Sequence, residues 1–220
     1  MNPGINLIKE RKDLTQYLFH FTKGKNPSQT LVKILDERKL TSSLGYICFT
    51  ETPITQFKVN LEYMNNFERP MFSNYGIAFK RDILINNHGA KPVIYGDEED
   101  YKKLKEIEMD WRFELLNTEY HDFTWLREWR IKDFLDFSKV NPNDIIIIAP
   151  NQEELNQICK EIDLIDIDFS YEHEIRSCVP YPIYAEVRNY KGISIKDLDT
   201  IVSDTEISKI TDKQKIGEQL

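Results

Sequence analysis

Short apolar runs separated by turn residues recur along the chain and predict a strand-rich protein. In residues 122–134 aromatic and charged residues alternate, which fits a strand better than a helix. The run of four isoleucines that follows Asp144 is apolar throughout and predicts a fully buried strand. We predict strands in residues 17–22, 45–54, 74–79, 85–96 (a turn, then a strand), 122–134 and 141–150 (again a turn, then a strand).

Three other segments place apolar residues at the spacing of one helix face. In residues 28–40 these are Leu31, Ile34 and Leu35, and Ser28 is the expected N-cap. The acidic stretch 97–110 and the segment 151–162 predict two further helices, the first of them on the surface. Short strands mixed with few helices indicate an α+β fold.

Composition places the chain among globular proteins that fold without disulfides. Its 220 residues, 40% of them hydrophobic, are enough to bury a core. The three cysteines are far apart in sequence and form no zinc or disulfide motif, and no apolar run approaches the ~20 residues that span a bilayer. We therefore expect a cytoplasmic protein with no membrane partner and no metal site. One domain is expected over residues 1–192, followed by a peripheral helix or tail over 193–220.

Charge is distributed unevenly along the chain. Residues 1–96 carry 13 Lys+Arg and 8 Asp+Glu, a net of +5, whereas the remaining residues give −13, which adds up to the net charge of −8. An acidic protein is a poor general binder of duplex nucleic acid, but a basic amino-terminal half can hold one anionic ligand such as a dinucleotide. An uneven solvated surface explains the same numbers.

The predicted strand YLFHFT directs His20 and Thr22 to the same face. Two hydrogen-bonding side chains about 6–7 Å apart on a rigid strand can bind a ribose or an amide. The alternative is a half-buried histidine that is bonded to the backbone.

In the segment WLREWRI, a strand would place Leu126, Glu128 and Arg130 on one face, with the tryptophans on the other. An oriented glutamate can stabilise a cationic, sugar-like transition state and bind a ribose hydroxyl. The alternative is an exposed ion pair between Glu128 and Arg130 that contributes less than ~1 kcal/mol.

Two further residues are candidates for a pocket. Thr50 lies where the strand YICFT meets Pro53, and polar residues at such a strand end often line a pocket. Tyr75 precedes Gly76, so its ring has room to lie against a flat ligand that approaches the backbone. The alternative for Tyr75 is a core position.

Taken in order, the segments FHFT, CFTETPI, YGIAF, PVIY and REWR resemble the AbiGi-like abortive-infection proteins, which confer phage resistance on bacteria. That group is similar to the DarT-type branch of the ADP-ribosyltransferase superfamily. The resemblance covers roughly residues 17–150, and FHFT and REWR are its most specific segments. It implies an ADP-ribosyltransferase-like, split two-sheet α+β fold with peripheral helices and with NAD bound in a cleft.

The resemblance also implies the reaction and its residues. The enzyme would cleave the nicotinamide–ribose bond of NAD and transfer ADP-ribose to a nucleic acid or a protein. Glu128 matches the catalytic glutamate, His20 and Thr22 match ligands of the nicotinamide ribose, and Tyr75 matches an aromatic beside the nicotinamide. Arg127 or Arg130 would pair with the acidic group or the pyrophosphate. We therefore predict a catalytic set of Glu128, His20 and Arg130, and NAD binding by His20, Thr22, Tyr75, Thr50 and Arg127.

Two other functions remain open at this point. Proteins of abortive-infection loci have also been regarded as antitoxins, so the same fold can serve as a non-catalytic binding module with a cognate toxin. A metal-dependent nuclease would use Asp110, Glu128 and Lys132, but its usual Glu-x-Lys spacing is not met, because Arg130 follows two residues after Glu128. We rank the nuclease last.

Overall fold

The structure is a computed structural model that describes residues 11, 13–68, 70–119, 122–160 and 190–200. Within these residues the chain forms a mixed α+β fold, as predicted, with one large sheet and one small sheet. The strands are β1 (Tyr17–Phe21), β2 (Lys39–Thr50), β3 (Gly76–Lys80), β4 (Lys91–Pro92), β5 (Ile94–Gly96), β6 (Phe113–Leu115), β7 (Glu128–Asp136), β8 (Ile145–Ala149) and β9 (Lys191–Ser194). The α-helices are α1 (Pro27–Glu37), α2 (Ile54–Met64), α3 (Arg81–His88), α4 (Glu98–Glu106) and α5 (Gln152–Lys160).

The large sheet of the described residues has the strand order β4–β7–β2–β1–β3–β8–β9. Its neighbouring strands are antiparallel except for the pair β8 and β9, which is parallel. β5 and β6 form the separate two-stranded parallel sheet. Non-consecutive strands are therefore neighbours across most of the large sheet, so the segments that connect them cross its faces.

Both faces of the large sheet are covered, so successive residues of the central strands enter two different cores. Leu18 packs in one core with buried residues of α1, α3 and α5, whereas Phe19 packs in the other with buried residues of α2. The four isoleucines of β8 alternate between the two cores, which explains why this strand has no polar face.

The predicted helices are present, but their details differ in places. The segment 28–40 is α1, yet the expected cap at Ser28 is wrong: the helix begins with Pro27 at its first turn, and the N-cap Asn26 makes no side-chain cap bond. The acidic stretch begins with Asp97, whose side chain forms a capping box with Asp100. The turn expected at 85–88 is instead the end of α3, and α2 has no counterpart among the predicted elements.

The described residues near the carboxyl end join the fold. β9 pairs with β8, and Ile193, Ile195 and Leu198 are buried in the core that contains Phe19. The domain boundary predicted at 192 falls within this strand, while residues 201–220 lie outside the described residues. In the described part of the chain, no helix combines the length and apolar character required to cross a bilayer.

The centre of the large sheet is where β1 and β2 separate. β1 is paired with β3 along its whole length, from Tyr17↔Lys80 to Phe21↔Gly76. Its register with β2 is given by Phe19↔Thr50, beyond which the two strands diverge. β2 is irregular between Thr41 and Tyr46, where Gly45 has a φ of 77°. The single register pair between β1 and β2 leaves a gap between these two strands, while the irregularity of β2 belongs to its pairing with β7.

Candidate functional site

A cleft with a volume of about 590 Å³ lies at the gap between β1 and β2. Residues from β1, α1, β2, β6 and β7 line it, and so does the segment that contains Met71 and Phe72. The cleft brings together five of the predicted site residues: His20, Thr22, Thr50, Glu128 and Arg130. Ligand pockets of proteins commonly have volumes of ~300–1,000 Å³, so this cleft is large enough for a small molecule.

His20 lies at the gap and forms a hydrogen bond across it from β1 to β2. Its Nδ1 lies 2.8 Å from the carbonyl oxygen of Cys48, and because a carbonyl only accepts, Nδ1 carries the proton. Nε2 is then the acceptor nitrogen, and no described residue donates a hydrogen bond to it. Burial lowers the pKa of His20, although the bond to Cys48 opposes this shift, so the imidazole is neutral at pH 7. The backbone-bonded histidine that the sequence left open is therefore present, and it still offers one free acceptor to the cleft.

Glu128 is held in place by Arg130, two residues along the same strand. Nε of Arg130 donates to Oε1 of Glu128 at 2.7 Å, and the two side chains are only 3% (Arg130) and 10% (Glu128) exposed. The pair is therefore not the exposed surface ion pair that the sequence allowed as an alternative. Both side chains share the face of Thr50 and Cys48, their register partners on β2.

Arg130 is the centre of a larger network. Nη1 donates to the carbonyl oxygens of Trp111 and Phe113 at 3.2 and 2.8 Å, and Nη2 donates to Oε2 of Glu114 at 2.5 Å. The guanidinium carbon also lies 4.3 Å from the ring centre of Tyr46. Burial opposes the charged form, but the bonds to Glu128 and Glu114 outweigh it and raise the pKa of Arg130. Arg130 therefore anchors the small sheet to the large one and directs the carboxylate of Glu128.

Thr22 and Thr50 line the cleft but use their hydroxyl groups within the protein. Oγ1 of Thr22 is within hydrogen-bond distance of the Pro27 and Tyr75 carbonyls, both at 3.1 Å, and of Oγ of Ser73 at 2.9 Å. Oγ1 of Thr50 donates to the carbonyl oxygen of Leu126, just before Glu128. Both threonines therefore shape the walls of the cleft rather than presenting a free donor to it.

Tyr75 and Arg127 are not among the described residues that line the cleft. The half-buried side chain of Tyr75 packs against the core that contains Leu18, the kind of position that the sequence left open as its alternative. Arg127 is exposed, has a φ of 46°, and donates through Nη1 to the carbonyl oxygen of Asp13. The expected strand begins only at Glu128, because residues 124–126 form a 3₁₀ turn and Arg127 is left-handed.

His20 and Glu128 reach the cleft from opposite faces of the sheet. Glu128 is opposite Thr50, and Thr50 is opposite Phe19, so Glu128 shares the face of Phe19. His20 follows Phe19 on the same strand and therefore points to the other face. Both side chains line one cleft because it passes through the gap between β1 and β2 rather than lying on one side of the sheet.

Tyr46, Tyr95 and Cys48 lie near the carboxylate of Glu128. Burial, and then the neighbouring Glu128, raise the pKa of the Cys48 thiol to about 12. The same two causes, with Glu114 as a further one, raise the pKa of Tyr95 to about 12, and its hydroxyl donates to the carbonyl oxygen of Phe123 at 2.9 Å. Cys48 is therefore protonated at neutral pH and is not a nucleophile.

The charges in the cleft come from few side chains. Lys23 and Arg130 are the cations among its described lining residues, and Glu114 and Glu128 are the anions. Among the described residues, no group of three or more His, Cys, Asp or Glu side chains is arranged to hold a metal ion. Glu128 instead binds a guanidinium, whose positive charge would repel a divalent cation at the same oxygen.

Glu114 is the residue of this site that the sequence did not indicate. It lies in a three-residue strand whose partner β5 is equally short, so neither strand shows a periodic pattern. Its acidic neighbourhood in the sequence is typical of a solvated surface. Only the fold brings it next to Arg130.

Comparisons with models of protein families, with curated proteins and with solved structures give no significant match to this chain.

Proposed function

We propose that this protein is an NAD-dependent ADP-ribosyltransferase-like enzyme of bacterial phage defence or of a toxin–antitoxin system. It would cleave the nicotinamide–ribose bond and transfer ADP-ribose to a macromolecular acceptor, either nucleic acid or protein. The observation that carries the proposal is the convergence of His20 and Glu128 on the cleft between β1 and β2. A central pair of strands that part around a ligand cleft also supports the split ADP-ribosyltransferase-like architecture.

The chemistry of the cleft suits a dinucleotide. Apolar side chains of Met71, Phe72 and Phe123 line one part and offer surfaces to flat rings. Lys23 lines the same cleft and supplies an exposed cation for a pyrophosphate. The acceptor nitrogen Nε2 of His20 suits a ribose hydroxyl, which can donate to it.

In the proposed reaction the bond between C1′ of the ribose and the nicotinamide nitrogen breaks, and its electron pair leaves with the nicotinamide. The ribose becomes an oxocarbenium-like cation, which the acceptor attacks at C1′ while it loses a proton. Glu128 accepts a hydrogen bond from the ribose 2′-hydroxyl, and its negative charge stabilises the cation. Arg130 fixes the direction of the Glu128 carboxylate through the 2.7 Å bond to Oε1.

The proposal is tested by incubating the purified full-length chain with NAD and measuring nicotinamide release by chromatography. We expect Glu128→Gln to lower the turnover by about 10²–10³-fold, because it removes the charge that stabilises the transition state. NAD affinity, measured by calorimetry, should stay within about threefold of the wild type. The matched control is Glu106→Gln, which makes the same charge change at an exposed position of α4 outside the cleft.

The acceptor is identified in parallel by offering labelled NAD together with single-stranded DNA, duplex DNA, RNA or a protein mixture. Label that transfers to one class with the wild type and not with Glu128→Gln defines the acceptor. If the wild type neither binds NAD nor releases nicotinamide with any acceptor, the enzyme proposal is wrong.

A second candidate is a non-catalytic binding module of the same fold, such as an antitoxin. The observation that favours it is the state of Arg130: its guanidinium is buried and bonded to four protein groups, so only one of its five N–H donors, on Nη2, is left for a pyrophosphate. Among the described lining residues, Lys23 is then the remaining cation. Binding of NAD with a measurable affinity but without turnover, together with harmless expression in bacterial cells, would favour this candidate.

A further inference from the structure

Two carboxylates share the guanidinium of Arg130. Nε donates to Glu128 at 2.7 Å and Nη2 donates to Glu114 at 2.5 Å, so each carboxylate receives one of two adjacent nitrogens. Arginine commonly binds one carboxylate through two parallel hydrogen bonds. Here the same donors are divided between residues of β6 and β7, which belong to different sheets.

The division has a consequence for the charge of the cleft. An isolated ion pair of Arg130 and Glu128 would have no net charge and would stabilise a nearby cation only weakly. With Glu114 added, the three groups carry a net charge of −1. The charge of Arg130 is thus not available to Glu128 alone, and the cluster keeps an excess of negative charge at the place where a cationic transition state would form.

Glu114 occupies the open side of the cluster. Its side chain is 32% exposed, compared with 10% for Glu128, and both line the cleft. The carbonyl oxygens of Trp111 and Phe113 accept from Nη1 and hold the guanidinium on the segment that carries Glu114. The position of Glu114 relative to Arg130 is therefore fixed by the backbone and not only by its own ion pair.

We propose that Glu114 is a positioning residue that acts on Glu128 through Arg130. It binds Nη2 of the guanidinium and preserves the net negative charge that the reaction requires. The proposal rests on the proposed function, because it concerns the same cleft and the same cationic transition state. In this proposal Glu114 acts without contacting the ribose.

The test compares Glu114→Gln, Glu114→Asp and the control Glu106→Gln with the wild type. Glutamine keeps an oxygen that accepts from Nη2 but removes the charge, so it separates charge from geometry. We expect Glu114→Gln to lower kcat roughly tenfold. The dissociation constant of NAD should stay unchanged or become smaller, because the cleft loses a negative charge while NAD carries negative phosphates. Glu114→Asp, which keeps the charge, should retain a higher kcat than Glu114→Gln, and Glu106→Gln should retain the wild-type kcat.

Four outcomes are decisive. A lower kcat with unchanged NAD affinity and a melting temperature within about 2 °C of the wild type supports the proposal. An active wild type with an equally active Glu114→Gln variant overturns the proposal and leaves the proposed function intact. A Glu114→Gln variant whose loss of kcat is matched by weaker NAD binding has the same two consequences. A wild type that neither binds nor cleaves NAD overturns the proposed function, and this proposal with it.

Discussion

Replacement of Arg130 by methionine tests the most heavily bonded side chain of the site. Arg130 is 3% exposed and donates to two carboxylates and two carbonyl oxygens while it lies over the ring of Tyr46. Methionine fills a similar volume without any donor. The change therefore removes the hydrogen bonds and the charge but leaves most of the packing.

The expected loss of stability follows from the groups that Arg130→Met leaves without a partner. Glu128 remains as a buried carboxylate without its cation, and breaking a buried pair in this way typically costs about 3–5 kcal/mol of the free energy of unfolding. The carbonyl oxygens of Trp111 and Phe113 lose their donor as well, which places the expected loss at the upper end of that range. For a chain of this length, about 3–5 kcal/mol corresponds to a fall in melting temperature of roughly 6–20 °C.

Urea and thermal denaturation, followed by circular dichroism, measure the loss. The control Arg11→Met removes an exposed arginine, which pairs with exposed Asp13, and should leave the melting temperature almost unchanged. In the double variant Glu128→Gln/Arg130→Met no unpaired charge remains at position 128, so the summed losses of the single variants should exceed its own by about 1–3 kcal/mol. A loss below about 1 kcal/mol for Arg130→Met, or strict additivity in the double variant, would refute the view that Glu128 depends on this buried cation.

Three further predictions concern the surroundings of the cleft. Because the pKa of Cys48 is raised to about 12, we expect this thiol to resist alkylation by iodoacetamide at pH 8 in the folded protein and to react after unfolding, as peptide mass spectrometry would reveal. Gly76→Ala should destabilise the protein by about 1–3 kcal/mol in urea denaturation, since an added Cβ would lie 2.7 Å from the carbonyl oxygen of His20 and 2.9 Å from the ring of Phe21; an unchanged midpoint would contradict the close approach. Burial, opposed in part by the bond to Cys48, lowers the pKa of His20 below 6.5. The unfolded chain therefore binds a proton more readily than the folded protein does. The contribution of neutral His20 to the free energy of unfolding should be fully present above pH 6.5 and should be lost as the pH drops through the folded-state pKa. In a His88→Gln background, because burial also lowers the pKa of His88, the His20→Gln variant should lose less stability than the parent between pH 7.5 and 5.5.

Strands β1, β2, β3, β7 and β8 of the large sheet could be predicted at least in part, because they contain apolar runs between turn residues, whereas β4 is only Lys91–Pro92 and β9 was not predicted. For the strands other than the run of four isoleucines, the sequence did not reveal that both faces are covered. In β1, Phe19 and Phe21 are buried on one face, and Leu18 on the opposite face is buried as well. Alternation shows which side chains point the same way and does not show what lies on each side of the sheet.

The helix α2 was missed although its sequence carries a signal. Ile54, Phe57 and Leu61 are the buried residues of this helix, and their spacing of three and four residues is helical. The polar residues between them and the preceding Pro53 made the segment resemble the end of a strand. Tertiary packing stabilises this helix, since the three side chains are buried in the same core as Phe19 and Phe21.

Within the candidate site, single strands could be predicted and the junctions between them could not. Glu128 and Arg130 share a face because they are two residues apart on a strand, which follows from the sequence alone. Glu114 meets Arg130 only because the small sheet packs against β7. Tyr75 contributes to the walls of the cleft through its backbone, since its carbonyl oxygen accepts from the backbone N–H of Thr22 at 2.9 Å and from Oγ1 at 3.1 Å.

The separation of β1 and β2 explains why the cleft lies at the centre of the fold rather than at an edge. Two adjacent antiparallel strands normally continue to exchange backbone hydrogen bonds, and giving up these bonds in a covered sheet is costly unless other donors replace them. Here the imidazole of His20 donates to the Cys48 carbonyl, and Thr22 bonds to Tyr75 on the far side of β1. The Cys48 carbonyl, which faces the gap, thus has a hydrogen-bond partner while the strands stay apart. An opening through the middle of the sheet would let a ligand contact both of its faces, as the proposed reaction at His20 and Glu128 requires.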